Sequence, residues 1–341
     1  MKKNSLFHQY FFPEKGNAKL KDGGPLGMGR FGFIAPELLQ FAYALFTALL
    51  ILFTWTNFAN PSALLWQRLT FISGTLALWV VYQLWPCRFV MMCRVGYLLL
   101  MLSSWYPDTF ELNKQFSNLD HIFAQWDQSI FGFQPALEFS KQFGSKIVSE
   151  LMYFGYFSYY LFFVVMTFVI LAMDYKQLER YTYILFGGFF ACYVIFDLLP
   201  VAGPQYYFLK VGTEKIAAGE LPDLGHCFAD KSNPMHLSPG WVSGVFYQII
   251  GLVHSAGERP TAAFPSSHIA IATVVMLVVV RMKMWKSFIL LALPYLFLSL
   301  STVYIMAHYF VDAVAGLVAG IVIFFAFGGM KLHRLSSKAS R

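Results

Sequence analysis

The sequence predicts an all-α, polytopic membrane protein with about eight transmembrane helices, and three observations predict it. Hydrophobic residues make up 57% of the 341 residues and charged residues only 13%, where an ordinary soluble domain carries about 25% charged residues. Apolar runs of membrane-spanning length recur along the chain, separated by short basic segments. Aromatic residues reach 19%, a content suited to lipid-facing packing and interfacial belts.

Residues 1–34 are polar and basic, with Lys2, Lys3, Lys15, Lys19, Lys21 and Arg30 among glycines and prolines. No small-residue cleavage site follows a short apolar core, so the segment reads as a retained cytoplasmic one. Residues 35–106 form an N-terminal transmembrane region, with spans expected near 35–57, 69–87 and 89–106. The third of these is interrupted by Arg94. Residues 107–149 are too apolar for a disordered linker. Short amphipathic helices along the outer interface are expected there.

Residues 150–330 read as a second transmembrane region, with spans near 150–173, 181–199, 266–281, 287–305 and 309–328. A long outer loop, 200–265, interrupts it, and loops of that length in a compact protein usually carry function. The loop opens with the turn-rich strip Leu199-Pro200-Val201-Ala202-Gly203-Pro204-Gln205-Tyr206-Tyr207. Gly316 and Gly320 in the last span allow close helix contact within the chain. Residues 331–341 form a short basic tail.

Lysine and arginine set the expected orientation. Seventeen of the 25 basic residues fall in the two terminal segments and the short loops of one face, so both termini are expected in the cytoplasm and the segments 107–149 and 200–265 outside. The net charge of +7 is then a topology signal. The partner it implies is the lipid bilayer, and no nucleic acid is expected. The outer loops contain no N-x-Ser/Thr sequon, which favours a bacterial inner membrane.

Two stretches carry chemistry: Ala263-Phe264-Pro265-Ser266-Ser267-His268, and Ser301-Thr302 followed by His308 and Asp312. One apolar hairpin separates them, so both histidines reach the same membrane face. Ionisable groups so placed are costly without a purpose. Pro265 suits the first position of a helix, which puts His268 in the first turn beside unbonded N–H groups, a ready anion site. His308 and Asp312 are four apart and share a helix face, where the carboxylate can fix the imidazole tautomer and stabilise its cation. One histidine can then attack phosphorus while the other protonates the leaving oxygen. Asp197, near the outer end of its span, is an ionisable group that is rarely accidental there. No H-E-x-x-H, Walker or Rossmann pattern is present, so no metal and no cofactor is expected.

Pro265-Ser266-Ser267-His268 resembles the P-S-G-H motif of the type 2 phosphatidic acid phosphatase superfamily. Ser301-Thr302 with His308 and Asp312 resembles its S-R-x5-H-x3-D motif, and Arg259-Pro260 looks like the end of its K-x6-R-P motif. Ser267 stands for the glycine, Thr302 for the arginine and Leu252 for the lysine. The Ser-Thr-x-Tyr-x-x-x-His-Tyr-Phe-Val-Asp form is most similar to the inositol phosphorylceramide synthase branch.

The resemblance implies a six-helix phosphatase-like core and a lipid phosphotransferase with a phosphohistidine intermediate. Its donor would be a phospholipid and its acceptor a ceramide-like lipid. His308 would be the nucleophile, His268 the acid and base, and Asp312 the orienting carboxylate. Substrate would be held by Arg259, Ser266, Ser267, Asp197, Gln205 and Tyr206. With water as acceptor the same residues would make a lipid phosphatase. Lys210, Lys215, Lys231 and His254 are candidates to replace the missing lysine.

Overall fold

The structure, a computed structural model, describes residues 32–173, 177–230, 232–235, 238 and 240–329, and the regular elements among them are helical. They are α1 (Ala35–Phe53), α2 (Pro61–Leu84), α3 (Arg88–Asn113), α4 (Asp120–Phe131), α5 (Pro135–Gln142), α6 (Lys146–Met173), α7 (Leu178–Leu198), α8 (Pro204–Val211), α9 (Thr213–Ala217), α10 (Val245–Gly257), α11 (Ser267–Arg281), α12 (Trp285–Tyr304) and α13 (Phe310–Gly328). The expected basic terminal segments lie outside the described residues, apart from their inner ends.

Among the described residues, seven helices are long and apolar enough to cross a membrane: α1, α2, α3, α6, α7, α12 and α13. The chain is therefore an integral membrane protein of the all-α class that its composition indicates. The eighth expected span, α11, has only 15 residues, about 22 Å of helix against a hydrocarbon core of about 30 Å. A polar motif begins it, and it ends in a turn where Lys283 takes a positive φ of 58°.

Several span boundaries differ from the hydropathy reading, the start of α2 for a local reason. Asn60 accepts the N–H of Ala63 at 3.1 Å and Pro61 follows at the first helical position, so α2 starts well before its apolar run. α3 runs through Pro107 to Asn113, where a span ending at 106 is expected from hydropathy.

The chain divides into two compact units. The first takes its described residues from Met1–Ser104, Thr167–Phe190 and Ala326–Arg341. There Arg94, which breaks the third apolar run, is fully buried in a two-pronged pair with Glu37, Nε to Oε1 at 2.8 Å and Nη2 to Oε2 at 2.6 Å. The fork geometry suits guanidinium against carboxylate, and the pair lets a charge sit inside a span. Glu37 also accepts the N–H of Ile34 at 3.0 Å, so one carboxylate both caps α1 and neutralises α3.

The second unit comprises Trp105–Met166 and Ala191–Phe325. Its core is aromatic, built from Phe123, Tyr206, Tyr207, Phe208, Phe228 and Tyr309 with small aliphatic residues between them. α11 and α13 touch at backbone distance. A Cβ on Gly316 would lie 2.5 Å from the carbonyl oxygen of Ser266, and one on Gly320 would lie 2.6 Å from that of Ala270. Only glycine fits there, and the contact presses the start of α13 against the start of α11.

Candidate active site

Two turns deliver the histidines. The first histidine stretch docks through Ala263, whose N–H reaches the carbonyl of Val201 at 3.0 Å, and Ser266, whose N–H reaches the carbonyl of Asp312 at 3.1 Å. Ser266 is the N-cap of α11, its hydroxyl accepting the N–H of Ile269 at 3.5 Å. Pro265 therefore precedes the cap and is not the first helical residue. His268 still falls in the first turn. The N–H of Ser266 is thus taken by the main-chain carbonyl of Asp312.

The second turn follows α12. Met306 takes a positive φ of 65°, a costly conformation for a residue with a side chain. Its carbonyl accepts the N–H of Gln205 at 2.9 Å, and the N–H of His308 reaches back to the carbonyl of Thr302 at 3.0 Å. Gly203 (φ 96°) packs so tightly on this turn that a Cβ would lie 2.7 Å from the carbonyl oxygen of Ala307. The strip after α7 is thus the wall against which the His308 turn is moulded.

His308 is 3% exposed. Its Nδ1 lies 2.6 Å from the carbonyl oxygen of Ala263 and 3.9 Å from the nearer carboxylate oxygen of Asp312. A carbonyl only accepts, so Nδ1 carries the proton and Nε2 presents its lone pair. That lone pair faces His268 Nδ1 at 3.5 Å. The sequence assigns the tautomer to Asp312; the geometry assigns it to Ala263, a backbone group. Burial lowers the pKa of His308 to about 4, so the ring is neutral at physiological pH.

Asp312 is fully buried and accepts the N–H of Tyr309 at 2.9 Å, with a carboxylate oxygen 3.9 Å from His308 Nδ1. His268 is clasped by aromatic rings, stacked on Tyr156 with centroids 4.5 Å apart and tilted against Tyr159 at 4.3 Å. The hydroxyl of Ser267 is hydrogen-bonded to that of Tyr159. His268, His308, Asp312, Ser266 and Ser267 therefore form one constellation.

Arg259, Gln205 and Tyr206 gather in a neighbouring cluster around Glu258. The amide of Gln205 donates to Glu258 Oε1 at 3.2 Å and the hydroxyl of Tyr106 reaches it at 3.5 Å. Burial pushes the Glu258 carboxyl up to about 7. Arg259 turns back on the chain, Nη1 donating to the Glu258 carbonyl at 2.7 Å. Tyr156 joins the two groups, its ring on His268 and its hydroxyl within electrostatic reach of Glu258 and Tyr206. Asp197 is fully buried near the C-terminal end of α7, beside Tyr193.

The departures from the motif pattern have definite places. Thr302 is fully buried and its hydroxyl donates to the carbonyl of Ser299 at 3.0 Å, inside its own helix. Leu252 is 71% exposed on α10. Lys210 and Lys215 are exposed, and Lys231 lies outside the described residues. His254 turns inward instead, edge-on to Tyr156 at 5.9 Å.

Sequence reasoning missed two carboxylates on α4. Asp120 accepts the N–H groups of Ala202 and Gly203, both at 2.7 Å, and the hydroxyl of Tyr309 at 2.9 Å. Asp127 accepts the N–H groups of Phe310 and Val311 at 2.8 and 3.0 Å, capping α13 from another helix. Both have raised pKa values because they are buried, that of Asp127 reaching about 6. Their spacing of seven puts them on one face of an amphipathic helix, the one available signal.

A family model described as the PAP2 superfamily matches residues 121–326, more than half of the chain and including both histidine motifs. No curated protein and no solved structure matches the chain.

Proposed function

The chain belongs to the PAP2 superfamily, which places it among lipid enzymes of the phosphatase or phosphotransferase type, and from that premise we propose a phosphotransferase working through a phosphohistidine. The observation that carries the proposal is the His308 lone pair held towards His268 at 3.5 Å by a backbone carbonyl on the opposite ring nitrogen.

His308 Nε2 attacks the phosphorus of a glycerophospholipid. The N–P bond forms as the bond to the diacylglycerol oxygen breaks, and a protonated His268 gives that oxygen its proton. The positive charge on His308 is offset by Asp312. An acceptor hydroxyl then loses its proton to His268 and attacks phosphorus, and the N–P bond breaks. Arg259 and the first-turn N–H groups of α11 that have no helical partner balance charge on the phosphoryl oxygens, where electrostatic stabilisation supplies most of the rate.

The donor we favour is phosphatidylinositol and the acceptor a ceramide, as in inositol phosphorylceramide synthases. A phosphomonoester carries close to two negative charges, whereas a diester carries one. With Leu252 at the surface and Thr302 bonded into its helix, Arg259 is the motif cation that remains, which suits the diester. The aromatic rings on His268 also limit water. Supplying labelled phosphatidylinositol to the purified protein, with and without ceramide, tests this. An inositol-phosphate-bearing sphingolipid is expected. Fast release of inorganic phosphate from phosphatidate, unaffected by ceramide, would make the enzyme a phosphatase instead.

We propose too that both termini are cytoplasmic and that the site opens on the outer face. A cysteine at Lys215 should then react with an impermeant reagent in intact cells and one at Lys283 should not; the reverse pattern would invert the topology.

A further inference from the structure

Glu258 stands at the centre of a ring of hydroxyl and amide groups that the phosphoryl chemistry does not use. The Tyr106 hydroxyl and the Gln205 amide bond its carboxylate directly, and the phenol oxygens of Tyr156, Tyr160 and Tyr206 lie within its electrostatic reach. These groups come from α3, α6 and α8 and converge on the residue just before Arg259. The cluster abuts His268 through the Tyr156 ring.

We propose that this cluster is a headgroup site selecting a neutral polyol, with Glu258 as the acceptor that determines specificity. The inference rests on the reading that the substrate is a lipid phosphodiester. A carboxylate accepts hydrogen bonds from adjacent hydroxyls, while phenols and an amide both donate and accept. Together they can satisfy a ring of hydroxyls without residual charge.

The alternatives fit worse. A second phosphate would meet a carboxylate. An ammonium headgroup would meet Arg259 alongside, and the face of Tyr156, which could otherwise hold a cation, is covered by His268. A site built to bond hydroxyls rejects analogues lacking them, because its own buried groups are then left unpaired.

The test is equilibrium binding to the full chain in detergent micelles carrying His308→Ala, so that nothing turns over. The probes are glycerophosphoinositol, glycerophosphoethanolamine and glycerophosphocholine, which share one phosphodiester charge. Glycerophosphoinositol should bind at least tenfold tighter than the other two, and Glu258→Ala should abolish that margin while Glu258→Gln keeps part of it. Should Glu258→Ala fail to fold, Tyr160→Phe, which deletes one hydroxyl, should narrow the margin about threefold. Equal binding of the three probes, or a margin untouched by these changes, overturns the proposal. A polyol preference in a protein that transfers no phosphoryl group would sink the reaction scheme and leave this site standing. Transfer without the preference would do the opposite.

Discussion

His308 gives its Nδ1 proton to the carbonyl oxygen of Ala263, 2.6 Å away, and not to the carboxylate of Asp312 at 3.9 Å. In the serine-protease triad the acid fixes the tautomer, and its loss costs about 10⁴ in rate. Here a main-chain group does that work. No side-chain substitution removes it.

Asp312→Asn should therefore leave the tautomer intact and remove only the counter-charge to a cationic or phosphorylated His308. A fall in turnover of about 10- to 100-fold is expected, short of the triad's 10⁴. Steady-state kinetics of the purified variant measures it. A loss of 10⁴ would return the orienting role to Asp312, and a normal rate would remove the residue from the mechanism.

The pH profile carries a second expectation. Burial lowers the pKa of His308 to about 4, so the ring is neutral above that value and cationic only below it. The acid limb of kcat/KM that belongs to the nucleophile should lie near pH 4, with His308 still competent at pH 5.5, where an ordinary histidine is mostly protonated. An acid limb near 6.5, shown to be that of His308 by the ring's NMR titration, would contradict the burial seen here.

Asp120 should matter to stability and to the site together. Its carboxylate receives two main-chain N–H groups and the hydroxyl of Tyr309, the neighbour of His308. Asp120→Ala deprives these three buried donors and the side-chain amide of Asn118 of their acceptor, at about 1–3 kcal/mol each. A lower thermal midpoint is expected, with slower phosphorylation of His308 in whatever folds. An unchanged midpoint would show that water or a neighbour takes over these donors.

The sequence makes some of this legible and hides the rest for physical reasons. The apolar runs locate the spans because hydropathy is a property of each segment alone, and the two histidine stretches stand out by residue type and spacing. The Arg94–Glu37 pair spans 57 positions, so each residue by itself reads only as a misplaced charge. Asp120 and Asp127 look like the polar face of an interfacial helix until α13 and the Ala202–Gly203 strip are set against them. Ala263 acts through its carbonyl, which every residue has, so no side-chain signal could reveal it. Glu258 reads as a spacer before Arg259-Pro260 until Tyr106 and Gln205 close on it.

The most direct measurement is isolation of the phosphoryl-enzyme. Purified protein mixed with phosphatidylinositol labelled at phosphorus and quenched early should carry label that is stable in base and lost in acid, as a phosphohistidine is. Peptide mapping should place it on His308, and His308→Gln should carry none, while His268→Ala, which cannot protonate the leaving oxygen well, should form it far more slowly. Turnover without any base-stable label, or label that persists in His308→Gln, would show that phosphorus is not passed through His308.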